Sequence, residues 1–338
     1  MTEENITMKN VLVVGGAGYI GSHVVEALVD EGYSPVIYDN LSTGHIESVP
    51  SGIPFVEGDI HDTALAERVM REYHIDGVIH FAASSLVEES MVEPAKYYHN
   101  NVAGSLHLLD AMRKAGVDKI VFSSTATVYG ESDEVPIRES SRLLPTNVYG
   151  RSKLMIEQML ADYDMAYGMR YVALRYFNAA GASKKRDIGE DHTTETHLIP
   201  LVLKTAQGVR DKIAIYGTDY PTADGTCIRD YIHVCDLAKA HVLALKYLLA
   251  DGASRTYNLG SENGISVREI IDHAKKVTNT DFAVVEEARR AGDPAVLIAS
   301  SARIREELGW VPVHSSVEDV IRTAWKWHEN HPYGYRSK

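Results

Sequence analysis

The sequence is poor in cysteine, in basic charge and in long apolar runs. Cys227 and Cys235 are too few for a disulfide framework or a four-thiolate metal site, so we interpret both as packing residues in a reducing compartment. The net charge of −13 creates no field that attracts nucleic acid or an anionic membrane. No run approaches the ~20 apolar residues of a membrane span, and the polar start MTEENITMKN is unlike a signal peptide. We therefore expect a cytoplasmic protein with neither nucleic acid nor membrane as a partner.

Short apolar runs alternate with helical patterns through the first half of the 338 residues. This alternation predicts an α/β fold with a Rossmann-type doubly wound parallel sheet. Strands are predicted over 10–15, 35–39, 53–59, 77–82, 119–124 and 170–176, and helices over 19–31, 62–73, 94–116 and 148–168. From about residue 177 the pattern loosens, which indicates a smaller C-terminal α/β substrate lobe. The predicted domains are 1–176 and 177–338, with a boundary that the chain can cross more than once.

The first predicted strand runs into three glycines, Gly15, Gly18 and Gly21, that precede a helix. Glycines there permit a tight turn and let backbone N–H groups approach a pyrophosphate at the helix N-terminus. The spacing Gly-x-x-Gly-x-x-Gly also fits an ordinary strand-to-helix turn. Asp39, at the end of the second strand, favours the dinucleotide interpretation, since an acid there binds the adenosine ribose hydroxyls.

The choice between NAD and NADP depends on Asp39 and on the segment that follows it. A carboxylate at this position repels a 2′-phosphate, and residues 40–45 (NLSTGH) include no arginine or lysine to receive one. The sequence therefore favours NAD as the cofactor. Asp59, after the third strand, is a candidate contact to the adenine, although a turn-forming acid fits the pattern nearly as well.

Tyr149 and Lys153 are four residues apart in YGRSK, which places them on one face of a helix. Taking a hydride from a carbinol carbon requires a base for the hydroxyl proton. Ionising a free tyrosine at pH 7 costs about 4 kcal/mol, because its pKa is near ~10. A lysine ammonium and a positive nicotinamide ring each favour the phenolate. The alternative is an exposed pair on an amphipathic helix.

Hydroxyl residues end the fifth predicted strand in FSSTATVYG. Ser123, Ser124 and Thr125 are candidates to bind a substrate hydroxyl or the tyrosine oxygen, since strand ends border the ligand crevice of such sheets. Capping and turn formation are the other roles expected of at least one of them.

With these motifs assembled, the chain resembles the extended short-chain dehydrogenase/reductase family, and within it the 4-epimerases that interconvert UDP-glucose and UDP-galactose. The resemblance extends almost from end to end. It rests on GGAGYIGSH, DNLSTG, FVEGDI, VIHFAA, YYHNNV, FSSTATVYG, YGRSKLMIEQ, LRYFNAAGA, YGTDYPTADGTCIRDYIHV, YNLG, RRAGDPA and WHENHPYGY. It implies a redox-neutral reaction through a transient 4-keto sugar, with NAD bound throughout.

The resemblance also implies roles for individual residues, with residues 1–176 binding NAD and 177–338 the nucleotide sugar. Tyr149 is the acid/base, Lys153 lowers its pKa and binds the nicotinamide ribose, and Thr125 takes the hydroxyl position. The implied cofactor contacts are Gly15, Gly18, Tyr19, Ile20, Gly21, Asp39, Asn40, Leu41, Ser42, Thr43, Gly44, Asp59, Ile60, Phe81, Ala82, Ala83, Asn100, Tyr149, Lys153 and Phe177. The implied substrate contacts are Thr125, Tyr149, Asn178, His197, Leu198, Ala214, Ile215, Tyr216, Arg229, Arg290 and Asp293.

Some positions depart from the family pattern. Val14 stands in place of a threonine, Ser85 in place of a lysine near the cofactor, and His197 in place of an asparagine in the sugar-nucleotide loop. Leu297 falls where some members carry a bulky tyrosine that narrows the sugar pocket. Because leucine is intermediate in size, UDP-N-acetylglucosamine 4-epimerase and dual-specificity activity remain alternatives.

Two further functions are weighed against epimerisation. A nucleotide-sugar 4,6-dehydratase carries an acid pair after the hydroxyl, whereas this chain has Thr125-Ala126-Thr127. A non-catalytic NAD-binding protein has no need to retain Thr125, Tyr149 and Lys153 together.

The sequence also gives predictions for the oligomeric state and for the metal content. The helical segments 94–116 and 148–168 carry apolar residues on more than one face, and the family resemblance favours a homodimer over deep burial alone. The fifteen histidines show no HxxxH or similar ligand spacing, so no metal is predicted.

Overall fold

The structure, a computed structural model, describes residues 9–290, 293–314 and 316–336. The strands are β1 Asn10–Val14, β2 Ser34–Asp39, β3 Phe55–Glu57, β4 Gly77–His80, β5 Lys119–Ser123, β6 Arg170–Tyr176, β7 Asn178–Ala180, β8 Lys212–Tyr216, β9 Ile228–Arg229, β10 Tyr231–His233, β11 Arg255–Leu259, β12 Ile265–Ser266, β13 Ala283–Glu287 and β14 Val296–Leu297. The helices are α1 Tyr19–Asp30, α2 Thr63–Glu72, α3 Val87–Val92, α4 Pro94–Tyr97, α5 Gly104–Ala115, α6 Val148–Tyr167, α7 Leu198–Ala206, α8 Val234–Leu249, α9 Val267–Thr278, α10 Ala302–Leu308 and α11 Val317–Asn330. The strands and helices predicted for the first half are confirmed, with small shifts at their ends.

The central sheet has seven strands in the order β3-β2-β1-β4-β5-β6-β11, and every neighbouring pair is parallel. The predicted Rossmann-type doubly wound sheet is thereby confirmed. In such a sheet, ligands bind beyond the carboxyl ends of the strands. The loops that follow β1, β2, β4, β5 and β6 therefore lie where a dinucleotide site is expected.

Helices cover both faces of the sheet because its strands are apolar on both sides. On one face, α1 and α8 bury Val24, Leu28 and Leu245 against the sheet. On the other face, α2, α5 and α6 pack their apolar side chains against the opposite side of the strands. Burial of this kind contributes about 25 cal/mol per Å² of apolar surface, which fixes the orientation of the helices that carry site residues.

The helix predicted over 94–116 consists of three consecutive parts. It comprises α4, a π-helical segment at Tyr98–Ala103, and α5. Asn100 lies in the π-helical segment, and such single-turn insertions occur frequently at functional sites. The short helix α3 was not predicted.

The second lobe is built mainly from the C-terminal half of the chain. It has three small sheets, β7 with β10, β8 with β13, and β12-β9-β14. Helices α7, α9 and α11 share one apolar core with β8, and this core includes Ile199, Ile213, Ile270 and Ile321.

The predicted domain boundary at 176/177 stays a prediction. The chain crosses it, because α8 and β11 return from the second half to pack on the central sheet and to form its last strand. Among the described residues, no helix is both long and apolar enough to span a bilayer.

Candidate active site

A cavity of about 1270 Å³ lies at the carboxyl ends of the central strands, and residues of both lobes form its wall. Strand ends contribute Asp39 from β2, Ser123 from β5 and Tyr176 from β6. The second lobe contributes Arg229 and Asp293. A dinucleotide at the sheet edge and a second ligand beside it can therefore share one enclosed space.

Most of the predicted site residues line this cavity. They are Gly15, Gly18, Tyr19, Ile20, Gly21, Asp39, Asn40, Ser42, Thr43, Ile60, Phe81, Ala82, Ala83, Asn100, Thr125, Tyr149, Lys153, Phe177, Asn178, His197, Arg229, Arg290 and Asp293. The remainder are not among the lining residues: Leu41, Gly44, Asp59, Leu198, Ala214, Ile215 and Tyr216.

For three of those remaining residues, the structure shows what engages the side chain. The Asp59 carboxylate accepts hydrogen bonds from Asn40 Nδ2 at 2.8 Å and from His61. The Ile215 side chain is 1% exposed in the core of the second lobe. The Tyr216 ring packs under the Arg290 guanidinium at 4.1 Å. Tyr216 thus contributes to the site by positioning an arginine that lines it.

The glycine loop between β1 and α1 has the shape that an anion requires. Gly15 adopts φ +81°, and a Cβ on it would lie 2.7 Å from the Ala82 nitrogen. A Cβ on Gly21 would lie 2.1 Å from the Gly15 carbonyl oxygen. Helix α1 begins at Tyr19 after Gly18, so no side chain at the N-cap accepts from the first N–H groups of the helix. These features fit the pyrophosphate of a dinucleotide.

Asp39 is fixed by the backbone of the glycine loop and of its own turn. One carboxylate oxygen accepts from the Ala17 N–H at 2.9 Å and the other from the Leu41 N–H at 2.8 Å. Burial raises the pKa of this carboxyl, while these hydrogen bonds oppose the rise. Each oxygen keeps a lone pair, so the carboxylate fits the ribose hydroxyls of NAD.

Thr125, Tyr149 and Lys153 meet on the cavity wall although they come from two elements. Tyr149 and Lys153 occupy successive turns at the start of α6, whose first turn is capped by Asn147 through a 2.8 Å hydrogen bond to Gly150 N. Thr125 follows β5 and caps the short helical turn at Ala126–Tyr129. Thr125 lies close enough to Tyr149 to lower the pKa of its phenol. The helix and the strand end thus place a phenol, a hydroxyl and an amine side by side.

The charges of this group differ from the sequence-based argument. Burial raises the pKa of Tyr149 to about 12, although the nearby Thr125 side chain lowers it. Burial lowers the pKa of Lys153 to about 7, against the attraction of Glu157. The Lys153 ammonium donates to the Ser123 carbonyl oxygen at 2.8 Å and lies 5.9 Å from the centre of the Tyr149 ring. In the protein without cofactor the phenol is therefore neutral, and the expected joint effect of Lys153 and the nicotinamide ring on the Tyr149 pKa stays a prediction.

Each of the three candidate hydroxyls after β5 already has a protein partner, and the Thr125 hydroxyl lies 2.7 Å from that of Thr127. The Ser123 hydroxyl lies 2.5 Å from that of Tyr176, and the Ser124 hydroxyl donates to the buried Glu157 carboxylate. Ser123 and Thr125 both line the cavity, and Thr125 is the one of the three that lowers the pKa of Tyr149. This favours Thr125 among the three alternatives, and its role stays a prediction.

Two arginines face the cavity from the second lobe, each beside a carboxylate. Arg229 bonds to Asp293 and also donates to the Ile228 carbonyl oxygen at 2.8 Å. Arg290 lies 3.8 Å from Glu88, which belongs to α3 in the first lobe. A diphosphate fits this pair, since a planar guanidinium binds phosphate oxygens bidentately.

Sequence reasoning missed an acidic and histidine-rich part of the cavity wall. Glu190 and His192 line the cavity with His197, and Glu195 contacts both histidines. Burial would lower the pKa of His197, but Glu190 and Glu195 outweigh it and raise that pKa to about 10. The acids and histidines that alternate in GEDHTTETH are the sequence feature from which this cluster could have been predicted.

The fold and the cavity define a Rossmann-type enzyme that binds a dinucleotide next to a second, anionic ligand. The model of the NAD dependent epimerase/dehydratase family matches residues 11–260. A UDP-glucose 4-epimerase of Lacticaseibacillus casei is 51% identical over 325 residues, which cover 96% of this chain and 98% of that protein. The chain belongs to the NAD dependent epimerase/dehydratase family, and NAD is its cofactor.

Two solved structures extend this similarity to three dimensions. The UDP-glucose 4-epimerase from Brucella ovis, solved in complex with NAD, is 52% identical with a TM-score of 0.92, over 94% of this chain and 98% of that one. The enzyme from Bifidobacterium longum, solved with NAD⁺ and UDP, is 39% identical with a TM-score of 0.90, over 97% of this chain and 100% of that one. The resemblance stated from the sequence is confirmed.

Proposed function

We propose that this protein is an NAD-dependent 4-epimerase that interconverts UDP-glucose and UDP-galactose through a 4-keto sugar. The observation that carries the proposal is that Thr125, Tyr149 and Lys153 line the same cavity as the glycine loop and as Arg229 and Arg290. A sugar nucleotide held by the arginines would present its sugar to the phenol. Curated relatives about half identical over nearly the whole chain support the same activity.

The proposed chemistry assigns proton handling to the chain. When bound, NAD supplies the acceptor and later the donor of a hydride. The Tyr149 oxygen would take the proton of the sugar C4 hydroxyl and return it to the C4 oxygen once the 4-keto sugar has turned its opposite face toward the hydride donor. Thr125 is placed to orient the phenol oxygen. Lys153, anchored on the Ser123 carbonyl, is placed to bind a ribose hydroxyl and to add positive charge when protonated.

We assign the arginines to the diphosphate of the substrate. Arg229 and Arg290 are each neutralised by an acid in the protein alone, Asp293 and Glu88 respectively. A diphosphate offers more oxygens than either carboxylate and can replace them as the partner. Binding energy at this remote group holds the nucleotide while the sugar turns.

The three alternative functions predict different outcomes in an assay with UDP-sugars. Leu297 lines the cavity and, like Phe177, packs against a small apolar cluster. Because leucine is intermediate in size, binding of a 2-acetamido sugar remains an alternative. Ala126 stands at one position of the dehydratase acid pair and is 1% exposed in an apolar cluster. An acid that could act on the sugar is therefore missing at this position. A non-catalytic NAD-binding protein would give no product at all.

The proposal is tested by incubating the purified holoprotein with UDP-galactose and following the sugar anomers by NMR. We expect UDP-glucose to form without net production of NADH, because the oxidation is reversed within each turnover. A parallel incubation with UDP-N-acetylgalactosamine reports dual specificity. Formation of a 4-keto-6-deoxy sugar, or no conversion with NAD bound, would contradict the proposal.

We also propose that the protein is a cytoplasmic homodimer joined through α5 and α6. Leu109 and Ile156 from these helices are buried in the core, whereas Leu106 and Met155 remain 41% and 39% exposed. Both cysteines are free, as a reducing compartment requires. Sedimentation of the holoprotein should give twice the 37.4 kDa chain mass.

The dimer proposal has a matched pair of variants. Leu106→Glu and Met155→Glu should each shift the protein toward the monomer, because a charge on an apolar contact is costly to bury. Val209→Glu makes the same change at a residue that is 60% exposed and lies outside α5 and α6. A monomeric parent protein would refute the proposal.

A further inference from the structure

The loop before α7 gathers four potential metal ligands, which we call the His/Glu cluster: Glu190, His192, Glu195 and His197. One ligand atom from each residue lies within 4.8 Å of all the others. His192 Nδ1 is 3.2 Å from Glu195 Oε2 and 3.4 Å from Glu190 Oε1. His197 Nδ1 is 2.9 Å from Glu190 Oε1 and 3.0 Å from Glu195 Oε1. Two imidazole nitrogens and two carboxylates thus converge on one point.

Glu190 points a buried oxygen toward this point without a hydrogen bond. The residue is 6% exposed, and its Oε1 atom has no hydrogen-bond partner among the described residues. The nearest charged neighbours of this oxygen are the Nδ1 atoms of His197, at 2.9 Å, and of His192, at 3.4 Å. A buried carboxylate oxygen in this state is costly unless a cation or donor satisfies it.

No lysine or arginine pairs with the acids of this cluster in the part of the chain that the structure describes, so the two histidines supply the balancing positive charge when no metal is bound. The Glu195 side chain is 4% exposed, and within the described ranges the ion pairs of Glu190 and Glu195 involve only His192 and His197. Two carboxylates carry the charge that one divalent cation balances when both imidazoles are neutral.

A second grouping of His233, His314 and Asp319 provides a contrast. There, Lys184 already pairs with Asp319 at 2.8 Å, and both ring nitrogens of His233 have hydrogen-bond partners, Cys235 N and Thr323 Oγ1. That grouping is satisfied within the protein. The His/Glu cluster is the one with an unsatisfied, buried oxygen.

We propose that the His/Glu cluster binds one zinc ion. Zinc takes imidazole nitrogen and carboxylate oxygen at about 2.0–2.2 Å in a tetrahedron, which sets ligand-to-ligand distances of about 3.3 Å. The histidine-to-carboxylate separations of 2.9 to 3.4 Å are close to this value, and the ligand atoms of all four residues lie within 4.8 Å of one another. Two imidazoles favour zinc over magnesium or calcium, which prefer all-oxygen ligand sets.

The ion fills a structural role, because four protein ligands leave no open position for a substrate. It joins residues 190–197 into one closed loop on the cavity wall, immediately before α7. His197 binds zinc through Nδ1, which leaves Nε2 as the ring atom for a contact inside the cavity. The proposal is independent of the sugar that the protein epimerises.

Zinc content tests the proposal directly. After equilibrium dialysis of the NAD-loaded protein against micromolar zinc, mass spectrometry of the metal should give about one zinc per chain. Since even outer-shell partners change metal affinity by about 10–100-fold, His192→Gln and Glu195→Gln should each lower it by at least ~100-fold. His314→Gln, in the second grouping, should retain the metal.

A spectroscopic titration of the unmodified protein covers the case in which the variants fail to fold. Cobalt(II) in the same site should give the intense visible bands of four-coordinate geometry, and zinc should abolish them. A parent protein that takes up no zinc would overturn the proposal. So would a weak six-coordinate cobalt spectrum, or full zinc retention by a folded His192→Gln/Glu195→Gln variant.

Discussion

Tyr149→Phe will lose epimerase turnover by about 10²–10⁴-fold while the protein keeps its bound NAD, because general acid/base groups contribute rates of that order. The substitution removes only the oxygen that holds the substrate proton. The ring remains on the wall of the cavity, where α6 fixes it beside Thr125. Turnover is followed with UDP-galactose, and bound nucleotide is released by denaturation and measured chromatographically.

The control makes the same chemical change on the same helix but away from the cavity. Tyr163 lies in α6 and donates to Asp110 at 2.9 Å. Tyr163→Phe should leave turnover within a few-fold of the parent. Equal activity in Tyr149→Phe and the parent would remove Tyr149 as the acid/base. Loss of NAD from Tyr149→Phe would show that the ring holds the cofactor instead.

Arg175→Met will destabilise the protein by about 3–5 kcal/mol, because it leaves Glu157 buried without a cation. Arg175 and Glu157 are 4% and 7% exposed. The guanidinium donates to both Glu157 oxygens and, at 2.8 Å, to the Tyr129 hydroxyl. Tyr129 in turn donates to Asn258 at 2.7 Å. The ion pair thus connects β6, α6, the turn after β5, and β11.

The effect is measured as the free energy of urea unfolding at a fixed NAD concentration. The double variant Arg175→Met/Glu157→Met should recover most of the loss, since removing both charges of a buried pair is often neutral. Arg322→Met is the control, because it breaks an exposed pair with Glu318 and such pairs contribute at most about 1 kcal/mol. If Arg175→Met cost no more than Arg322→Met, the buried pair would not have the role assigned to it.

Arg175 and Glu157 also show what sequence reasoning could not predict. The two residues are 18 positions apart in different elements, and Asn258 is 129 positions from Tyr129. Each one alone fits an ordinary surface or strand position. Only the packing of α6 on the sheet, with β11 added at the edge, places them in contact.

The site itself was predicted more completely than this network, because its motifs are local. The glycine loop needs three glycines within one turn, and the Tyr149–Lys153 pair needs one turn of helix. The assignment of Thr125 needed the tertiary structure, which pairs Ser123 with Tyr176 and Ser124 with Glu157. The protonation behaviour of Lys153 could not be predicted from the sequence either, because burial in the folded protein is what lowers its pKa.

The sequence by itself determined the main strands and helices of the first half, the dinucleotide loop with its acid, and the phenol, amine and candidate hydroxyls of the site. Each of these is encoded by residues within one or two turns, where backbone geometry alone fixes the neighbours. The tertiary structure decided which hydroxyl lies beside Tyr149, how α8 and β11 return to the central sheet, and how the four side chains of the His/Glu cluster come together. Those features depend on which apolar surfaces pack together and on the desolvation that follows, and neither is a local property of the chain.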